Sequence, residues 1–297
     1  MRLKSPRPKP LNYAMNQVRP PAVAGSFYPA RTAQLRALLE QCFLTHPLGP
    51  QGALLPSPSL LGGVVPHAGY VYSGPCAAHF YSLVERDIRH VILLGVNHRG
   101  KGAKAALSPD SYWETPLGRV AVDRELAASL KEALDFVRED GIPHRGEHSI
   151  EVQLPFLQQV LDSFSFVPIS LSHLSLDECR IMGRAVASLC LADGSPGKKT
   201  VLIASSDLNH YLSPRETERL DGLALARLLD LDPEGLLETV SREGISMCGV
   251  VPVAVMLFAV REMGAPSARL LKHCHSGDAA PMSEVVGYAS VAVDAGK

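Results

Sequence analysis

SLLGGVVPHAGYVYSG, residues 59–74, holds an apolar run of strand length that stops at a proline and passes directly into a glycine-bracketed segment carrying a histidine. A continuous apolar run, rather than an alternating one, marks a strand buried on both faces, as in a sheet with helices on either side. Outward from it the same kind of run recurs as HVILLGV (90–96), FSFVPISL (164–171), TVLIAS (200–205), RLLKHC (269–274) and EVVGYASVAV (284–293). Helical patterns separate these runs. They predict an α/β fold with a central, mostly parallel sheet covered by helices, and 297 residues suit one large domain or two.

The helix signals lie between the runs. Asp123 caps a helix through about Val137, and Ser149 caps a stretch from about Ile150 to Leu161 in which Pro155 marks either a kink or the true first turn. Ser175 with Glu178 forms a capping box for a helix through about Leu191, Pro214 opens RETERLDGLALARLLDL, and a last apolar helix runs from Val250 to Met263 with Pro252 in its first turn. The loop DGSPGK (193–198) is the strongest turn signal and joins a helix to a strand. The chain shows no internal repeat and no domain linker.

Charge narrows the function classes. With 29 Lys+Arg against 30 Asp+Glu, there is no electrostatic footprint for nucleic acid or an anionic membrane. The longest apolar stretch, Val250 to Val260, is interrupted by Pro252 and falls short of the ~18–20 residues of a span. Residues 1–17 read as a disordered basic, Pro-rich tail without the apolar segment of a secretory signal. Six scattered cysteines without CxxC spacing argue against a disulfide framework or a zinc ribbon, so the cytoplasm is the expected compartment.

Metal-competent residues sit just past the apolar runs, where open α/β sheets place their ligands. His67 follows GGVVP, His98 follows VILLGVN, and Asp207 and His210 follow TVLIASS. Each histidine alone reads as readily as a structural residue; their recurrence at equivalent places points to a shared site. PHAGYVYSG (66–74) is either a tight turn into a helix at Pro75 or a rigid ligand loop, with Tyr70 and Tyr72 lining a pocket. Glu147, His148 and Glu151 cluster at a helix start, either as plain capping groups or as support that orients a ligating histidine. Cys248 directly precedes an apolar helix whose N-terminus would lower its thiol pKa, although a lone cysteine reads by default as buried and inert. His273 and His275 share one strand face with Cys274 opposite, and His79 and His90 read as helix-face and strand-edge residues. GxGxxG, GxxxxGK[ST], HExxH and GxSxG are all absent, which removes most support for nucleotide-binding and serine-hydrolase readings.

AGSFYPA (24–30), PHAGYVYSG, LLGVNH (93–98), EHSIEVQLPFL (147–157), SSDLNHY (205–211), CGVVP (248–252), SGD (276–278) and VVGYASVAV (285–293) occur in one order over residues 24–293. In these motifs the chain resembles the Memo-like family, the group also called AmmeMemoRadiSam system protein B, which is similar in fold to the class III extradiol ring-cleavage dioxygenases. The resemblance implies one Memo-like domain over residues 18–297, an α/β fold of that dioxygenase-like class. It implies that His67 and His98 are metal ligands, that Cys248 stands where the dioxygenases carry a glutamate, and that His210, with Asp207 beside it, is the acid/base group. A thiolate in place of that carboxylate is softer and oxidisable, which favours copper or a redox role for iron, with zinc a further candidate, and weighs against ring cleavage. Two functions follow from the resemblance. One is redox or oxygen chemistry on a small molecule; the other is a non-enzymatic module that docks a peptide or protein in the same cleft. The family's naming also implies AMMECR-type and radical SAM proteins as partners.

Overall fold

Side chains alternate across each apolar strand, so a run such as HVILLGV can cover two cores at once. In the computed structural model, which describes residues 17–53, 55–192 and 200–296, Ile92 and Leu94 face one core and Val91 and Leu93 the other. The tail's first 16 residues and the DGSPGK turn lie outside the described residues.

In chain order the first elements are β1 (Val18–Arg19), α1 (Thr32–Leu44), β2 (Leu60–Val65), α2 (Tyr70–Tyr81), β3 (His90–Val96), β4 (Ala105–Leu107), β5 (Tyr112–Thr115) and β6 (Gly118–Val122). Next come α3 (Arg124–Ala133), β7 (Val137–Glu139), α4 (Leu154–Val160), β8 (Ser165–Leu171), α5 (Leu176–Ala192), β9 (Thr200–Ser205) and β10 (His210–Leu212). The last are α6 (Pro214–Leu229), α7 (Pro233–Glu243), α8 (Val250–Glu262), β11 (Ala268–His275), α9 (Ser276–Ala279) and β12 (Val285–Asp294). The strands form one sheet in the order β1-β5-β6-β8-β3-β9-β2-β12-β10, with β11 on β12 and β4 and β7 branching from β8. Its centre, β6-β8-β3-β9-β2, is parallel, and antiparallel strands flank it. This is the expected single α/β domain. Helices α1, α2 and α4 cover one face; α3 and α5 to α8 cover the other. Helix α8 is apolar all round because it is buried between the sheet and its helical neighbours. Among the described residues, no helix is long and apolar enough to cross a membrane.

Local chemistry corrects several expected boundaries. Asp123 does cap α3, accepting from Leu126 N, but the helix stops at Ala133 because the chain then pairs with β4 as β7. The Ser149 hydroxyl does not cap a helix: it accepts from Val96 N (2.9 Å) and donates to Val96 O (3.0 Å), pinning the next segment to β3. A short 3-10 turn, Glu151–Gln153, follows, and Pro155 falls in the first turn of α4. Helix α2 begins at Tyr70, so Pro75 lies inside it rather than at its start. Helix α7 has no counterpart in the expected elements, although its signals are present: Asp232 caps it, Pro233 is its first residue and Gly244 ends it at φ 64°.

Burial of His144 makes a pH prediction. Its ring is 1% exposed, and Nε2 bonds Ala106 O at 3.1 Å while buried Nδ1 lacks a partner. Burial, reinforced by the Arg19 charge, pushes its pKa down to about 3. The folded protein therefore keeps this imidazole neutral while the unfolded chain takes up a proton below pH 6.5. Stability is fully present above pH 6.5 and is lost as pH falls, by about 2 kcal/mol at pH 5 from this one group. Urea midpoints from pH 7.5 to 4.5 should fall less steeply in His144→Gln than in the native protein; parallel slopes would refute the assignment.

Candidate metal centre

Strands β2, β9 and β3 are parallel neighbours, so their C-terminal ends open on one place. His67, Asp207 and His98 each stand two positions past the last residue of those strands. The turn ahead of α8 brings Cys248 to the same spot. One ligand atom from each of His67, His98 and Cys248 lies within 4.8 Å of the others, and Cys248 Sγ is 3.1 Å from His67 Nε2. Glycine permits this approach: a Cβ on Gly249 would stand 2.4 Å from the Ser206 Cβ, whereas the Gly249 N–H instead donates to Ser206 Oγ at 3.0 Å.

Hydrogen bonds decide which ring nitrogens are free. The Ser205 hydroxyl donates to Ser149 O (2.7 Å) and accepts from Gln153 Nε2 (2.8 Å), so its remaining lone pair takes the His67 Nδ1–H at 2.9 Å. The His98 Nδ1–H donates to Glu147 Oε1 at 2.9 Å, and the His210 Nδ1–H to the Ser246 carbonyl at 3.0 Å. In its neutral form each of the three rings therefore carries its proton on Nδ1 and leaves an Nε2 lone pair, the form a metal ligand or a general base needs.

Glu147 clamps the His98 ring and the backbone around it. Its carboxylate accepts from the backbone N–H of His98 (3.0 Å), His148 (2.7 Å) and Ser149 (2.9 Å) besides the His98 ring. Burial would raise its pKa, but the bond and charge of His98, with His148 and Ser149, hold it far below the usual carboxylate range. His98, Glu147 and His148 also bring ligand atoms within 4.8 Å of one another, with Glu147 Oε1 already accepting from three donors and Oε2 from one. His148 stacks on His98 at 4.7 Å and 9°, meets Phe27 at 4.5 Å, and has its pKa lowered to about 4 by burial against the neighbouring imidazoles. Burial likewise drives His67 well below its ordinary value.

Burial shifts both Asp207 and Cys248 toward their protonated forms. Burial pushes Asp207 up to about 7 despite the His67 N–H it accepts at 2.7 Å. Burial, with Asp207 nearby, pushes the Cys248 thiol far above its ordinary value. His210 is lowered by burial, opposed by the Ser246 and Leu208 carbonyls that favour its charged form.

A cavity of about 560 Å³ opens above these groups. His67, His98, His148, Asp207, His210 and Cys248 all line it, with Glu147 behind His98. Tyr70 and Tyr72, expected in the lining, are not there: the buried Tyr70 hydroxyl donates to Val152 O at 2.5 Å and its ring packs on Phe156. Phe27, Tyr211, Ser246 and Val286 line the cavity without having been singled out in the sequence. Phe27 and Tyr211 belong to AGSFYPA and SSDLNHY, but only the fold turns them to one opening. Four further histidines that the sequence singles out lie away from the cavity: His79 bonds Leu48 O, His90 pairs with Asp123, and His273 and His275 face Asp221 and Glu218 of α6.

Residues 19–292 match the family model described as Memo-like protein. Among curated relatives, the chain is 45% identical over 282 residues to a MEMO1 family protein of Ignicoccus hospitalis, an alignment that covers 92% of this chain and 98% of that protein. It is 43% identical to one from Methanopyrus kandleri, with the same coverage, and 42% identical to one from Methanosarcina barkeri over 93% of this chain and all of the relative.

Proposed function

This chain belongs to the Memo-like protein family, and from that premise we propose that it is a metal-binding protein that carries out redox or oxygen chemistry on a small molecule. His67 Nε2, His98 Nε2 and Cys248 Sγ hold the ion, iron or copper ahead of zinc. The observation that carries this reading is the convergence of three donor atoms within 4.8 Å, two of them on imidazoles whose other nitrogen is already bonded. Two imidazoles and one sulfur form a mixed set suited to a redox-active ion, which when bound supplies electron transfer or oxygen chemistry to a molecule in the cavity. The chain's own groups do the rest. Cys248 gives up its proton on loading, so binding strengthens as pH rises. His210 Nε2 accepts or returns a proton from a molecule in the cavity, and Asp207, titrating near pH 7, holds a second one beside His67.

Elemental analysis of protein purified without oxygen or an affinity tag tests this directly. Near-stoichiometric iron or copper is expected, falling to background in His98→Ala. Protein that stays metal-free and takes up neither Fe(II) nor Cu(I) would sink the proposal. A second reading, a cleft that docks a peptide, draws on Tyr211, whose ring stands 70% exposed at the cavity's rim. It requires partner affinity that survives His98→Ala.

A further inference from the structure

Helix α6 buries a carboxylate that does not line the cavity. Asp221 is 0% exposed; its Oδ2 faces His273 Nε2 at 2.9 Å, and its Oδ1 accepts the Asn209 N–H at 2.9 Å. Strand β12 is shaped around it, since a Cβ on Gly287 would lie 1.9 Å from Asp221 Oδ2. A buried carboxylate is stable only where its oxygens are satisfied, and here one of them is satisfied by the backbone directly before His210.

From Asn209 the bonds continue toward the cavity. Asn209 is itself buried, and its Oδ1 accepts from Ser246 N (3.3 Å) and Ser246 Oγ (3.1 Å). Ser246 then receives two donors from His210: the backbone N–H on Oγ at 2.8 Å and the ring Nδ1–H on its carbonyl at 3.0 Å. The β12 backbone braces the same turn, with Leu208 N donating to Gly287 O and Gly287 N to Asn209 O, each at 2.8 Å. Immediately after His210, Tyr211 adopts φ 61°, a left-handed conformation that a bulky residue holds only where its surroundings impose it.

We propose that Asp221 is a positioning residue: through Asn209 and Ser246 it fixes the turn that presents His210 to the cavity as its Nδ1–H tautomer, with the Nε2 lone pair turned inward. The inference rests on the reading of His210 as the proton-exchanging group of the proposed function. Asp221 touches no molecule in the cavity; it acts on the ring that does. A neutral imidazole in water favours the Nε2–H form, so a base that must work from Nε2 needs its other nitrogen held by a fixed acceptor. The Ser246 carbonyl is that acceptor, Asn209 holds Ser246, and Asp221 holds Asn209.

Long-range proton–nitrogen NMR spectra of the histidine rings in the full-length, metal-free protein test this, with the His210 signals assigned by their loss in His210→Gln. The native protein should show His210 protonated on Nδ1 and bare on Nε2 at neutral pH. Asp221→Leu keeps the branched shape of the side chain but accepts no hydrogen bond, and Asn209→Ala cuts the next link and serves if Asp221→Leu does not fold. In either, His210 should lose the Nδ1–H signature for an average of both tautomers, while His67 and His98 keep theirs. A His210 that remains Nδ1-protonated in folded Asp221→Leu or in Asn209→Ala overturns the inference. The spectra are recorded without metal, so a chain that never binds iron or copper fails the proposed function and leaves this test intact.

Discussion

Glu147→Ala should weaken metal binding by about 10- to 100-fold although Glu147 is not one of the three proposed ligands, the range seen when a group that orients a ligating histidine is removed. The carboxylate fixes the His98 ring by its Nδ1–H and the loop around it by three backbone N–H groups. Alanine leaves those donors without their acceptor and lets the ring rotate, so binding must first restore an orientation that the native protein has in advance. The same loss destabilises the fold, at about 1–3 kcal/mol for each buried donor left unpaired. Competition against a chromophoric chelator gives the affinity, and urea unfolding the stability. Native affinity in Glu147→Ala would show that His98 either needs no clamp or is not a ligand.

The second large effect lies farther from the centre. Arg19→Ala should destabilise the protein by about 3–5 kcal/mol, because it leaves a fully buried carboxylate without its cation. Arg19 Nη1 stands 2.6 Å from Glu151 Oε2, and the side chains are 6% and 0% exposed. Glu151 also accepts from Ala22 N, Val23 N and the Tyr28 hydroxyl, so it ties the amino-terminal segment to the chain behind the site. Arg19 ties it again, donating to His144 O (2.9 Å) and Glu147 O (2.6 Å) and lying 4.0 Å over the Trp113 ring. At roughly 2 °C per kcal/mol, Tm should fall by about 6–10 °C. Arg19→Met with Glu151→Gln removes both charges and should recover part of the loss; a double variant as unstable as Arg19→Met alone would assign the effect to packing instead. Since Glu147 O is one of the acceptors, weaker metal binding should accompany the lost stability.

Arg19 does not stand out in the sequence, and the clamp by Glu147 is there only one of two readings. Arg19 reads as one more charge beside Pro20 and Pro21, and only its burial against Glu151, 132 positions on, gives it weight. Glu147 reads as a capping group or an orienting one, and the bond to His98 decides between them. Tyr70, by contrast, reads as pocket lining because it follows His67, yet the helix that starts there turns its ring into the core.

Strand positions and the residues just past them are local properties. An apolar run bounded by glycine or proline carries its own information, so β2, β3, β8, β9, β11 and β12 lie where their runs predict, and His67, His98 and Asp207 sit at strand ends in any arrangement of those strands. The order β3-β9-β2 is not local, and it is what makes three strand ends one site. The same holds for Cys248, which meets His67 across 181 positions, and for Asp221, which reaches the His210 turn only because β12 offers a glycine where any side chain would collide. Periodicity and turn chemistry are written in neighbouring residues, whereas a hydrogen bond between distant ones exists only after the sheet has chosen its order.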